Sequence, residues 1–218
     1  MFASIILAGG DSSRIGENKA LLQINNRTLI ELIIDKLSPI SEKIYVVTHD
    51  KKEFDFLKNV EVIEDYPFIS NISKKKSEEE QSFSLLNLSF PEKPRNILNA
   101  MYTGVNESNY ENNFVCACDM PSLNPELIKY IYSLKAQYDA IIPTIENKPI
   151  TLHSFYNKSC LEVMKVSLDK GNKQVKRIFR DLNVKYIPDN ALKVDDPELK
   201  SFFQIKTRLD YILNQVDV

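Results

Sequence analysis

The chain has 218 residues, 43% of them hydrophobic, with 28 basic and 30 acidic side chains and a formal net charge of −2. That length supports one sizeable core, so a single domain, 1–218, is the expected organisation. The near-neutral balance leaves no electrostatic footprint for nucleic acid or an anionic membrane surface.

The N-terminus, MFASIILAGG, has no basic leader, and its apolar run ends within a few residues, too early for a signal peptide. No stretch approaches the ~18 apolar residues of a membrane helix. Three cysteines are an odd number for a disulfide framework. The expectation is a cytoplasmic protein with reduced thiols.

In chain order, Ser4 to Leu7 reads as a short buried strand. Thr28 and Glu31 fit a capping box, and Leu29, Leu32, Ile33 and Leu37 follow at helical spacing. Lys43 to Thr48, Val60 to Ile63 and Asn113 to Cys118 read as strands. Asn124 followed by Pro125 predicts a helix start, with Leu127, Ile128, Ile131 and Leu134 on its apolar face. Ala140 to Pro143 and Leu152 to Tyr156 are further strand candidates, and Lys206 to Asn214 predicts a closing helix. This alternation predicts a three-layer α/β/α domain with a mainly parallel sheet. The segment 69–94 departs from the pattern. It carries SKKKSEEEQS and PEKP and is expected as a polar insertion, a flexible solvated loop, with a lid or partner-contact element as the alternative.

The first strand runs directly into LAGGDSSRIGENKALL, residues 7 to 22, which holds three of the five glycines: Gly9, Gly10 and Gly16. Glycine concentrated in one loop answers a need for positive φ or close backbone approach. Exposed amides there can form an anion nest. Ser12 and Ser13 add hydroxyl donors, and Arg14 and Lys19 add fixed positive charge for phosphate oxygens. In parallel α/β sheets such loops lie at the ligand-binding end of the strands. The loop is neither a Walker A loop, since Ala20 follows Lys19, nor G-x-G-x-x-G.

Asp119 stands where the Asn113 to Cys118 strand leaves the sheet. A carboxylate there can hold Mg²⁺, which is satisfied by one or two carboxylates plus substrate phosphates. It can equally serve as a turn or helix cap before Asn124. Cys116 and Cys118 fall on one side of their strand and read as small buried thiols.

L-A-G-G-x-S-x-R-x-G-x-x-K, matched at Leu7, Ala8, Gly9, Gly10, Ser12, Arg14, Gly16 and Lys19, resembles the signature of the molybdenum cofactor guanylyltransferase family, within the nucleotide-diphospho-sugar transferase fold. Cys118-Asp-Met-Pro-Ser-Leu123 resembles that family's C-D-x-P-x-L motif. The resemblance implies a Rossmann-like nucleotidyltransferase that transfers GMP from GTP to the terminal phosphate of molybdopterin and releases pyrophosphate. It implies Arg14, Lys19 and Asp119 as catalytic candidates, with Asp119 as ligand of a Mg²⁺ cofactor. It implies Leu7, Ala8, Gly9, Gly10, Ser12, Arg14 and Lys19 as the nucleotide cradle. Glu64-Asp65-Tyr66-Pro67 is similar to the family's acidic stretch, which makes Asp65 a nucleotide contact, a candidate for base or metal contacts, or, alternatively, a surface turn.

Other segments match less closely. Where the family has G-P-L-x-G-I, this chain has Asn96-Ile97-Leu98-Asn99-Ala100-Met101, with Asn96 and Asn99 as possible base contacts. Pro149 to Tyr156 resembles P-L-H-A-L-Y, with His153 either a packed structural residue or a contact on the acceptor side. Lys170-Gly171-Asn172-Lys173 resembles a G-x-R turn toward the second substrate. Phe203-Gln204-Ile205-Lys206-Thr207 occupies the place of F-x-N-I-N-T, which puts Lys206 on the acceptor side as a cation in place of an amide. The partners implied are GTP, a molybdopterin-type cofactor, and molybdoenzymes or their chaperones. The alternatives are a cytidylyl- or other nucleotidyltransferase of the same fold and a non-catalytic carrier of nucleotide or cofactor.

Overall fold

The computed structural model describes residues 1–9, 18–65 and 96–214. Gly10, Ser12, Ser13, Arg14, Gly16 and the insertion 69–94 lie outside the described residues. The elements are β1 (Ala3–Leu7), β2 (Gln23–Ile24), β3 (Arg27–Thr28), α1 (Leu29–Leu37), β4 (Lys43–Thr48), β5 (Glu61–Glu64), α2 (Ile97–Glu107), β6 (Asn112–Ala117), α3 (Pro125–Ser133), β7 (Ala140–Ile145), β8 (Lys148–Pro149), β9 (Ser154–Asn157), α4 (Cys160–Asp169), β10 (Val184–Ile187), α5 (Asp189–Leu192) and α6 (Arg208–Asn214). Short 3-10 helices at Lys19–Leu21, Val175–Asp181 and Lys200–Phe202 join them.

The main sheet runs β10-β7-β9-β6-β1-β4-β5, with β8 paired to β7. β1 lies parallel to β4 and β6, β4 to β5, and β10 to β7. β9 is antiparallel to both β6 and β7. The predicted strand at Leu152 to Tyr156 therefore exists from Ser154, and its direction is reversed. The connection explains the reversal. β7 ends in a tight turn with Glu146 and Asn147 at φ 49° and 59°, and the chain returns at once through β8. So short a return cannot carry the crossover that a parallel neighbour needs.

Side chains alternate between two cores, one on each face of the sheet. Ile6, Val46, Phe114 and Cys116 face α1 and α3, meeting Ile30, Ile33, Leu37, Leu127, Ile128 and Ile131. Ile5, Leu7, Tyr45 and Val47 face α2 and α4, meeting Leu98, Met101, Val105 and Met164. Each fully buried aliphatic side chain contributes about 1.5–3 kcal/mol. Together these layers make the expected α/β/α sandwich. Cys116, Cys118 and Cys160 are free, buried thiols, and burial pushes each of them up from its ordinary value.

The caps follow the sequence. Thr28 accepts from Glu31 N while Glu31 accepts from Thr28 N, a full capping box. Asn124 accepts from Glu126 N and Leu127 N, with Pro125 in the first turn of α3. Gly104 has a different purpose, because a Cβ there would stand 2.5 Å from Ile5 Cγ2 and 3.0 Å from Val47 Cγ2. α2 lies on the sheet at a distance only glycine permits. Among the described residues, no helix is long and apolar enough to cross a membrane.

Candidate active site

β1, β4, β5 and β6 all end at the same edge of the sheet, and their hydrogen bonds continue one step past the strands. Ala8 N donates to Val47 O at 2.8 Å, Cys118 N to Leu7 O at 3.1 Å and Asp65 N to Thr48 O at 2.6 Å. Four chain segments are thereby locked side by side around a cavity of about 420 Å³. Leu7, Gly9, Lys19, His49, Asp65, Asn96, Asp119 and Lys206 all line it.

Lys19 begins a short 3-10 helix capped by Asn18, whose side chain accepts from Ala20 N. A hundred residues on in the chain, Asp119 follows β6. The two meet with Lys19 Nζ 3.0 Å from Asp119 Oδ2, both largely buried. Asn124 caps the following helix itself, so the reading of Asp119 as that cap does not hold. Asp119 Oδ1 is buried with no hydrogen-bond partner among the described residues. A hard, unsatisfied carboxylate oxygen at a cavity wall fits a Mg²⁺ ligand. No group of three or more His, Cys, Asp or Glu side chains that could hold a metal exists among the described residues.

Asp65 is no surface turn. It is 2% exposed, accepting from Asn99 Nδ2 at 2.5 Å and Thr103 Oγ1 at 3.1 Å, both on α2. Asn99 is thereby committed to Asp65, which removes it as a base contact. Asn96 lines the cavity, but its side-chain oxygen caps α2, accepting from Asn99 N at 3.0 Å. Ala8 does not line the cavity. Its methyl packs in the core and its N–H is taken by Val47, so it shapes the turn and offers no donor.

His49, absent from the sequence reading, belongs to the site. It follows β4 at the ligand edge, and its imidazole lies so close over Gly9 that a Cβ there would be 2.8 Å from the ring. Its Nδ1 is 3.9 Å from Asp65 Oδ2. The rule that ligands gather beyond the carboxyl ends of parallel strands is the signal that finds it.

The structure does not bring His153 to the cavity. It is fully buried, packed edge-on to Phe114 with centroids 5.1 Å apart and tilted against Phe202 at 4.3 Å. Burial pushes its pKa down from 6.5 to about 4, so the ring is neutral at physiological pH. Of the two readings of His153, the packed structural residue holds, and the direct acceptor-side contact gives way to a core position. Lys206 does reach the cavity, as does Gln204. The residue between them is anchored twice, because Ile205 N donates to Asp119 O at 2.9 Å and its side chain is buried against Leu22, Ile24 and Leu29. The Lys170 to Lys173 turn lines a separate surface hollow with Arg177.

A glycine turn, a lysine–aspartate pair and a second buried carboxylate at the ends of four parallel strands are the furniture of a nucleotide-transfer site. The MobA-like NTP transferase domain matches residues 4–186, and the chain belongs to that family. A protein of Natranaerobius thermophilus named probable molybdenum cofactor guanylyltransferase is 31% identical over 210 residues, covering 95% of this chain and 92% of its own. A molybdenum cofactor guanylyltransferase of Desulfosudis oleivorans is 26% identical, covering 94% and 89%. Among solved structures, molybdopterin-guanine dinucleotide biosynthesis protein A of Archaeoglobus fulgidus superposes with a TM-score of 0.76 at 25% identity, covering 98% of this chain and 97% of that one. The 2-C-methyl-D-erythritol 4-phosphate cytidylyltransferase of Thermus thermophilus shares the fold at a TM-score of 0.67 and 12% identity.

Proposed function

We propose that this nucleotidyltransferase moves GMP from GTP to the terminal phosphate of a molybdopterin-type cofactor, with release of pyrophosphate. The observation that carries the reading is the meeting of Lys19 and Asp119 at 3.0 Å beside the Gly9 turn, in a cavity sized for a small molecule. The names of relatives matched over nearly the whole chain supply the nucleotide and the acceptor.

In this reading the triphosphate lies on the turn from Leu7 through Gly10, with Arg14 and Ser12 adding donors. Lys19 exchanges its bond to Asp119 for one to a phosphate oxygen as GTP enters. Asp119, whose Oδ1 has no hydrogen-bond partner among the described residues, would hold Mg²⁺. Bound there, the ion supplies charge neutralisation for the phosphates. Asp65, fixed by Asn99 and Thr103, gives the nucleotide side a rigid acceptor. An oxygen of the acceptor phosphate forms a bond to the α-phosphorus as the bond to the pyrophosphate oxygen breaks. No covalent enzyme intermediate is required, since a phosphate anion is already nucleophilic, and catalysis rests on alignment and charge stabilisation. Three free thiols suit a reducing cytoplasm.

The test is melting with Mg²⁺ and each of GTP, CTP, ATP and UTP, followed by pyrophosphate release with molybdopterin as acceptor. A ligand at 100 times its dissociation constant stabilises the native state by about 2.7 kcal/mol. A GTP-selective shift that needs Mg²⁺, with turnover, is the expected result. A CTP preference keeps the chemistry and changes the nucleotide. Tight binding without pyrophosphate release leaves a carrier, and no shift with any triphosphate removes the reading.

A further inference from the structure

His153 combines three features that a plain core residue does not need. Its backbone sits at φ 104°, a region that side-chain-bearing residues rarely adopt and that persists only where the surroundings enforce it. Its N–H is fixed to Val115 O of β6 at 2.8 Å. Its imidazole packs against the rings of Phe114 and Phe202, and Nε2 spans 2.7 Å to Ser201 Oγ, a residue 48 positions away.

Ser201 is the centre of a tightly bound turn. Its hydroxyl also accepts from Asn124 N at 2.9 Å, at the cap of α3. Its own N–H and that of Lys200 are gripped by the two oxygens of the buried Asp196, at 2.8 and 3.0 Å. Leu199 enters the turn in the left-handed region at φ 54°. Four residues beyond Ser201 the chain is bound again, at Ile205. Between and just after these anchors stand Gln204 and Lys206, both in the cavity wall. Leu152, the neighbour of His153, lines the same cavity.

We infer that His153 is a positioning residue for the acceptor side: through Ser201 it fixes the turn that presents Gln204 and Lys206 to the cavity, while its own strained backbone sets Leu152 in the adjoining wall. This rests on the proposed function for the identity of the acceptor. Packing alone would be served by a leucine of similar volume. The hydrogen bond to Ser201 is what a leucine lacks and what ties two segments far apart in sequence.

The test uses His153→Leu, which keeps bulk and loses the bond, Ser201→Ala, which loses it from the other side, and His153→Gln, which can restore it. For each folded variant the KM for molybdopterin and for GTP are measured, with amide hydrogen exchange over residues 200–207. Leu and Ala variants are expected to raise the acceptor KM about tenfold, the size of one lost hydrogen bond, with GTP KM within about twofold, the acceptor-side effect being separate from nucleotide binding. Exchange at 203–206 should quicken in both, and Gln should recover most of each effect. Equal losses for both substrates, or unchanged acceptor KM with unchanged exchange, would overturn the inference. If the wild-type protein takes no GTP, the functional reading falls, and the exchange experiment still decides whether His153 controls the segment. Should His153→Leu fail to fold, Ser201→Ala carries the same comparison.

Discussion

The two halves of the sheet are built on different logic. On the β1, β4 and β5 side every strand is parallel, the chain crosses over through helices, and the site residues follow the strands they leave. Gly9, His49 and Asp65 arrive at the cavity by that simple rule. On the β6, β9 and β7 side one strand is reversed, and the cavity wall is completed by a segment near the C-terminus, Gln204 to Lys206, returning across the edge. The first half holds its ligand edge by sheet hydrogen bonds. The second holds it by side-chain anchors at His153, Asp196 and Ser201. Under the proposed function, the parallel sheet edge would be the nucleotide seat, and the tethered return segment would face the acceptor.

The contact that crosses between the halves should show the largest effect. Lys19→Ala removes the cation that Asp119 now holds and that the triphosphate would take over. Turnover should fall by about 10²–10³-fold, the usual consequence of losing one preorganised charge donor. The melting temperature and the far-ultraviolet circular dichroism should stay near wild type. A folded Lys19→Ala protein with near-normal pyrophosphate release would dissolve the comparison, since the cation at the meeting of the two halves would then contribute nothing to turnover.

The parallel half was legible in the sequence because its signals are local. Thr28 and Glu31 mark a cap, Lys43 to Thr48 reads as a strand, and the glycines of the first loop mark the ligand edge. Asp119 stands out because an acidic residue ends an apolar run. The antiparallel half was legible only as elements. Nothing in Leu152 to Tyr156 states the direction of a strand, which the short return after Ile145 decides. The burial of Asp65 under α2 and the link from His153 to Ser201 depend on contacts between segments 34 and 48 residues apart, which no periodicity encodes. His49 was missed because a lone histidine after a strand carries no spacing pattern.

The buried His153 gives the second half its own signature in pH. Burial lowers its pKa from 6.5 to about 4, so the unfolded chain takes up the proton more readily than the native one. The stability this neutral ring contributes is present above about pH 6.5 and is lost as pH falls toward 4. The gap corresponds to about 3 kcal/mol at full protonation of the unfolded ring. In urea unfolding, wild type should therefore exceed His153→Gln by a margin that is constant above pH 7 and narrows steadily toward pH 4. A margin independent of pH would mean that the ring is not buried neutral, and the side-chain anchoring assigned to this half would lose its centre.

The smallest expected effect tests the first half from behind. Gly104 has no polar role and lies on the far side of α2 from solvent, against Ile5 and Val47. Adding one methyl must push α2 away from the sheet or displace two packed branched side chains, and such overpacking costs about 1–3 kcal/mol. α2 also carries Asn99 and Thr103, which hold Asp65. Gly104→Ala should thus lower stability by that amount in urea and raise the KM for GTP about two- to fivefold, as a small misplacement of a positioned group does. The KM for the acceptor should not follow, because Gln204 and Lys206 hang from Ser201 and Ile205, neither of which touches α2 by any hydrogen bond among the described residues. If both constants rise together, the two edges share a mechanical support, and the division of the cavity into a sheet-held seat and a tethered wall must be given up.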